Sequence, residues 1–230
     1  LHSFPTRRSS DLAILFIAYT ISFIDRSILA LLVQPIKADL NITDTQLSLL
    51  HGFAFAIFYT ILGIPIARLA DSRSRTRIIT IGIIIWSLMT CLCGMANRFW
   101  HLFLARVGVG VGEAALSPAA YSMIADLFPK ERLGRALGVY SMGVYFGAGL
   151  AFIIGGAVVE AVGHLAATDL PLIGQVSGWQ LVFIIVGLPG LLVAGLVLTI
   201  KEPARRGSDS NASAVPISQV VDYARRNWKS

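Results

Sequence analysis

The chain has 230 residues, of which 55% are hydrophobic and only 14% charged, and its mean hydropathy is +0.71. Such a composition excludes a water-soluble domain of the ordinary kind, which would have to bury several long apolar runs at once. The net charge of +6 does not suggest a nucleic-acid partner either, because no soluble basic domain accompanies it; it reads as loop charge in contact with anionic lipid.

Residues 1–11 (LHSFPTRRSSD) open on Leu rather than Met and resemble translated adapter sequence, so they are set aside as a non-native leader. Six apolar runs follow, at residues 12–34, 47–69, 78–96, 101–127, 134–160 and 179–200. About 20 residues at ~1.5 Å rise match the ~30 Å hydrocarbon core. The runs lack period-two alternation, and lipid offers backbone groups no water, so each is predicted to be a membrane-spanning helix rather than a barrel strand. The expected fold is an all-α integral membrane bundle. Residues 201–230 turn abruptly to Lys, Arg, Ser and Pro and read as the start of an interdomain linker. Within them Ile217, Val220, Val221, Ala224 and Trp228 recur at helical spacing, as in a helix lying on the membrane or within a longer linker.

Basic residues set the orientation, because cytoplasmic loops retain positive charge. Of the 19 Lys and Arg, fifteen lie on the side that holds both chain ends, among them Arg68, Arg73, Arg75, Arg77, Lys130, Arg132 and Lys201; Lys37 and Arg98 lie on the other. Both ends are therefore expected in the cytoplasm, with the bundle a multi-pass protein of the inner (plasma) membrane.

Small residues recur four apart in the fourth and fifth runs, as in Gly108, Gly112 and in Gly134, Gly138, Gly143, Gly147, a spacing that lets membrane helices approach closely. Pro65, Pro118 and Pro189 each interrupt a predicted helix and should kink it. No strand precedes the GVGVGE run, so it is not a nucleotide loop. Cys91 and Cys93 lack the companions needed for a zinc site and read as packing residues. His51, His101 and His164 fall near the outer surface and His2 in the leader, so nothing resembles a catalytic set; no enzyme activity, metal or cofactor is expected.

Charge inside the membrane carries the functional signal. Asp25 and Arg26 sit near the middle of the first run, and Arg106 and Glu113 lie in the fourth. Each costs at least ~2.5 kcal/mol at the bilayer centre unless paired or hydrated. Seven positions separate Arg106 from Glu113, which puts them on one helix face. Ion pairs that merely hold helices together are one reading; proton movement is the other. If the six helices form two inverted triplets, 12–96 and 101–200, the charged helices open each triplet.

The turn Ala67-Arg68-Leu69-Ala70-Asp71-Ser72-Arg73-Ser74-Arg75-Thr76-Arg77 resembles the major facilitator signature Gly-x-x-x-Asp-Arg-x-Gly-Arg-Arg. Asp71 and Arg75 match it, while Ala67, Ser72, Ser74 and Thr76 depart. Arg106-x-x-x-Gly110-x-Gly112 and Pro129-Lys130-Glu131-Arg132-Leu133-Gly134-Arg135 are similar to further signatures of that superfamily. Phe23-Ile24-Asp25-Arg26, Arg106 to Ala115 and Ile124-Ala125-Asp126-Leu127-Phe128-Pro129 resemble the spinster-like transporters. The resemblance implies the six-helix N-terminal half of a major facilitator fold, a 3+3 inverted repeat whose C-terminal half is missing. It implies proton coupling by Asp25 and Glu113, with Arg106 tuning Glu113. A cavity lined by Tyr19, Arg26, Arg106 and Glu113 would receive a small or amphipathic solute, lysolipid-like in that family, and Asp71, Arg73, Arg75 and Arg77 would hold a cytoplasmic gate. Organic-anion symporters of the same superfamily share the Asp-Arg pair, and a non-transporting sensor or receptor is the reading from another class. Protons, solute, membrane lipids and the missing half are the expected partners.

Single cysteines at Ser72 and Thr168, in a background without Cys91 and Cys93, test the orientation. Only the second should react with an impermeant reagent in intact cells, and equal labelling of both contradicts the arrangement.

Overall fold

The structure, a computed structural model, describes residues 4–163, 168–170, 174–205 and 226. Six spans long and apolar enough to cross a membrane are present among them. The first is α1 (Phe4–Leu31), which includes residues that the sequence reading set aside as a leader, and a short α2 (Val33–Leu40) continues it. The second joins α3 (Asp44–Ser48), a π-helical turn (Leu49–Phe53) and α4 (Ala54–Ser72). The third is α5 (Arg75–Cys93), and the fourth is α6 (Phe99–Glu113) followed by α7 (Leu116–Leu127). The fifth is α8 (Lys130–Gly163) and the sixth α9 (Gly178–Val197). Between α8 and α9, β1 (Thr168–Leu170) pairs antiparallel with β2 (Gly174–Val176). The helical spacing noted at 217–228 falls outside the described residues apart from the single position 226.

Two spans break four residues before a proline. A proline at position i lacks an N–H and crowds the carbonyl of residue i−4. Pro35 stands four residues after Leu31, where α1 ends, and Pro118 four after Ala114, where α6 has given way to the turn before α7. The expected kink at Pro118 is thus a full break directly after Glu113. Pro65 and Pro189, by contrast, sit inside the unbroken helices α4 and α9. Asn41 closes α2 in the left-handed region, φ 49°, a conformation that Asn tolerates better than most residues.

The five most extensive span pairings are first with fifth, third with sixth, third with fourth, second with fourth, and first with sixth. Exchanging spans one, two, three with four, five, six maps this set onto itself. The bundle is therefore built as a 3+3 repeat, and an odd number of crossings between equivalent spans inverts one triplet relative to the other.

Missing side chains set the closest approaches. A Cβ on Gly112 of α6 would stand 2.6 Å from the backbone N of Trp86 and 2.7 Å from the Gly82 carbonyl oxygen of α5. On α8, a Cβ at Gly147 would meet the Thr20 carbonyl oxygen and the Phe23 Cβ of α1 at 2.5 Å. Apolar side chains gain nothing by leaving lipid for protein, so this backbone proximity is a principal source of helix association. Gly112→Ala should push α5 and α6 apart and cost about 1–3 kcal/mol, as overpacking does. Gly138, with nothing within 4 Å of its would-be Cβ, should accept Ala with an unchanged melting temperature. Thermal unfolding of the two variants in detergent checks the contrast.

Candidate functional site

Asp25 and Arg26 are neighbours on α1, so their side chains leave the helix about 100° apart and meet different surroundings. Arg26 reaches toward α6. Its Nη2 donates to Glu113 Oε2 at 2.5 Å and its Nε to the same oxygen at 3.2 Å, while the Glu113 side chain is wholly buried and that of Arg26 is 30% exposed. Three rings surround the guanidinium: Phe23 at 4.6 Å, Phe55 at 4.3 Å and Tyr59 at 5.4 Å from centroid to Cζ. A guanidinium on aromatic faces gains ~0.5–2 kcal/mol per favourable contact, more as water is excluded. The cation is therefore held by both a carboxylate and a ring cage.

Asp25 is enclosed within the bundle. It is completely buried, and among the described residues neither of its carboxyl oxygens has a hydrogen-bond partner. Arg106 is also buried, and its Nη1 donates to the backbone carbonyl of Asp25 at 3.4 Å, while its Nε and the Glu113 Oε1 remain unpaired among the described residues. An ionised carboxylate in Asp25's position has the charge of Arg106 nearby but no hydrogen bond from a described residue to offset its desolvation. The direct ion pair to Glu113 is thus made by Arg26, and Arg106, expected to tune Glu113, lies against the backbone of Asp25.

Tyr19 belongs to an aromatic cluster beside this centre. It stacks on Tyr140 at 4.5 Å and meets Phe23 edge-on at 5.2 Å, and Tyr121 packs edge-on against Tyr140 at 5.3 Å. It thus joins the cage through Phe23 and is half-buried.

At the end of the bundle bearing most of the basic residues, Arg75 is buried rather than displayed. Its Nε donates to Glu202 Oε1 at 2.8 Å, its Nη1 to Asp126 and to the Ser122 carbonyl at 3.1 Å, and its Nη2 to the Pro203 carbonyl at 2.9 Å. Glu202 Oε2 accepts from the Thr76 backbone N–H, Thr76 Oγ1 and Ser74 Oγ, each at 3.0 Å. Here a carboxylate caps the positive N-terminus of α5. Arg205 complements it, donating to the carbonyls of Ala70, Asp71 and Arg73 where α4 ends. Residues 201–205, assigned to the linker from composition, are therefore fastened to the α4–α5 turn. Asp71, Arg73 and Arg77 remain exposed, so of the four residues expected to form a gate only Arg75 is turned inward.

Residues 15–229 match the sequence profile of the Major Facilitator Superfamily. The chain belongs to that superfamily. An MFS-type efflux pump of Mycolicibacterium smegmatis is 32% identical over 97% of this chain and 47% of its own length. Protein spinster homolog 1 of Xenopus tropicalis is 34% identical over 74% of this chain and 33% of its own. The crystal structure of a bacterial homolog to the human lysosomal transporter Spinster, inward-facing and unoccupied, superposes with a TM-score of 0.80 at 39% identity, covering 96% of this chain and 49% of that one. The chain spans about half the length, or less, of these relatives. It is a spinster-like member of a transporter family, not of an enzyme family.

Sequence reasoning picked out Asp25, Arg26, Arg106 and Glu113, and the superfamily fold gathers all four where α1 passes α6. It missed Phe55, Tyr59, Tyr121 and Tyr140, whose helical spacing on apolar segments looks like ordinary packing. The one available signal was Phe23 three residues before Arg26 on the same helix face. It also missed Glu202, which no periodicity marks.

Burial raises the proton affinity of the Glu202 carboxyl, but the Thr76 backbone N–H, Arg75 and Ser74 outweigh it and lower the pKa to about 2 from the ordinary 4.5. A depressed carboxylate contributes stability that is complete above its unfolded value and fades as pH falls through the folded one. The chain should accordingly lose stability between about pH 4.5 and 2, and Glu202→Gln should flatten that part of the profile while lowering the melting temperature at neutral pH. Thermal melts across pH for both proteins provide the check.

Proposed function

We propose that the chain is one half of a proton-coupled secondary transporter that moves a small or amphipathic organic solute by alternating access. The observation that carries this reading is the juxtaposition of a caged, partly exposed Arg26–Glu113 pair with a buried Asp25 whose carboxyl oxygens make no hydrogen bond among the described residues. Two carboxylates and two guanidiniums in an apolar bundle are costly as mere fasteners, because a hydrophobic replacement of buried ion pairs is often as stable. They are suited to a cycle in which Glu113 takes up a proton, releases the guanidinium of Arg26, and leaves it free for an anionic or carbonyl group of the solute. Arg106 then serves Asp25, and Tyr19 lines the aromatic side of the same cavity.

The partner of this half is a second six-helix bundle. The second and fifth spans, equivalent under the 3+3 exchange, bury only 17% and 22% of their apolar stretch against 39–61% for the other four. That is the pattern expected if another bundle covers them. The basic end lies in the cytoplasm of a cell whose inner membrane the chain crosses six times, where Asp71, Arg73 and Arg77 face the other half as a gate, fastened by Arg75 from within.

In a full-length transporter carrying this half, Asp25→Asn and Glu113→Gln should abolish accumulation driven by a pH gradient in proteoliposomes while keeping the melting temperature within a few degrees. Arg26→Ala leaves Glu113 buried without its partner and should cost on the order of 3 kcal/mol of stability. Normal accumulation by both carboxylate variants would rule out the coupling role; solute binding without any flux would favour a sensor.

A further inference from the structure

The cage around Arg26 is assembled from two helices. Phe23 and Arg26 belong to α1, but Phe55 and Tyr59 come from the start of α4, one turn apart and stacked on each other at 5.4 Å. Neither α4 ring touches Glu113's helix through a charge; their hold on the ion pair runs through the guanidinium alone. The approach of α4 is permitted by Gly110 of α6, where a Cβ would stand 2.9 Å from the Phe55 carbonyl oxygen and 3.3 Å from its Cα. The Tyr59 hydroxyl lies 3.5 Å from Ser117 Oγ on α7, at the outer limit of hydrogen-bond reach.

The position of these rings along the chain matters as much as their contacts. Immediately before Ala54 the span makes a π-helical turn, Leu49–Phe53, a local departure from α geometry that costs hydrogen-bond quality and recurs at functional sites. The span that follows is the least buried of the six. Within this half it packs least against its neighbours and turns its remaining surface to the second bundle proposed above, so that movement of that bundle reaches it directly, and it holds two of the three faces on which Arg26 rests.

We propose that Phe55 and Tyr59 are positioning residues that press the Arg26 guanidinium onto Glu113, so that displacement of α4 from Gly110 releases the pair. Seated against α6, α4 closes the cage; Arg26 has two aromatic faces from α4, and its Nε and Nη2 are aimed at one carboxylate oxygen. Moved away, α4 takes both faces with it, and the guanidinium gains water and rotamer freedom while Glu113 stays in the wall of the bundle. The state of the ion pair thus follows the position of a single, weakly packed span. This deepens the transport reading above by naming what would open the pair during the cycle, and its test requires no transport, so that a failure here is separable from a failure there.

The experiment uses phenylglyoxal, an uncharged reagent for guanidinium groups, on membranes containing the full chain, with modification of Arg26 followed by peptide mass spectrometry and the buried Arg106 as internal reference. Phe55→Leu and Tyr59→Leu should each speed modification of Arg26 about fivefold, the scale of one lost cation–π contact. Phe55→Trp and Tyr59→Phe, which keep a ring, should react as the parent does. Gly110→Ala, which displaces α4 without touching Arg26, should match the leucine variants. In a Glu113→Gln background the ring substitutions should add less than about twofold, because residues acting through one another are not additive. Unchanged modification in the leucine variants, equal rates for leucine and ring-retaining variants, or full additivity with Glu113→Gln would each overturn the proposal. Tyr59 is only half-buried, so its pair of variants decides the matter even where a change at Phe55 or Gly110 prevents folding.

Discussion

The Arg26–Glu113 ion pair can stand inside an apolar bundle only because backbone approaches bring three spans around it at once. Glu113 ends α6, one residue beyond Gly112, whose missing Cβ lets α5 lie against the helix, and three beyond Gly110, which admits α4. A side chain at either glycine would hold a neighbour away, and the desolvated carboxylate would lose its walls before its cation. Small residues here serve electrostatics as much as packing: they create the dry, shaped surroundings in which one guanidinium meets one carboxylate and a ring cage.

The break after Glu113 belongs to the same device. Pro118 offers no N–H to the Ala114 carbonyl, and the fourth span makes a turn at Ala114 and Ala115 directly past its buried carboxylate, while Tyr121 of α7 packs edge-on against Tyr140, which stacks on Tyr19. The charged side of the centre and its aromatic side are thus supplied by the two segments of one span. Leu31 and Pro35 repeat the arrangement in the first span, which is its equivalent in the other triplet. Similar chemistry has placed a helix break in corresponding spans without residue-level identity between the triplets.

Both ends of the bundle are tied within the half itself. On one side Asp39 Oδ2 accepts from Ser177 Oγ at 2.9 Å and from Trp179 Nε1 at 2.6 Å, joining α2 to the start of α9, and Gln180 Nε2 donates to the Ala96 carbonyl at 2.9 Å. On the other, Glu202 and Arg75 bind the exit of α9 to α5 and α7. The sixth span is thus fixed at each end, whereas the sparsely packed α4 lies against the ion pair at the centre. Tied ends and a sparsely packed second span suit the alternating-access cycle proposed above.

The sequence by itself determined the membrane class, the six spans and the four intramembrane charges, because hydrophobic length and the cost of charge in lipid are local properties that no tertiary contact can reverse. It also carried the family, through the turn at Asp71 and Arg75 and the run from Arg106 to Glu113. Only the tertiary structure decided which arginine holds Glu113, since Arg26 and Arg106 lie on different helices and pairing depends on how those helices rotate against each other. The same is true of Phe55 and Tyr59, indistinguishable in one dimension from lipid-facing aromatics until Gly110 brings α4 against α6. It holds for Glu202 too, a lone charge after an apolar run that becomes the cap of a helix beginning 127 positions earlier. Partnerships made across the bundle depend on interhelical distance, and a linear pattern does not encode it.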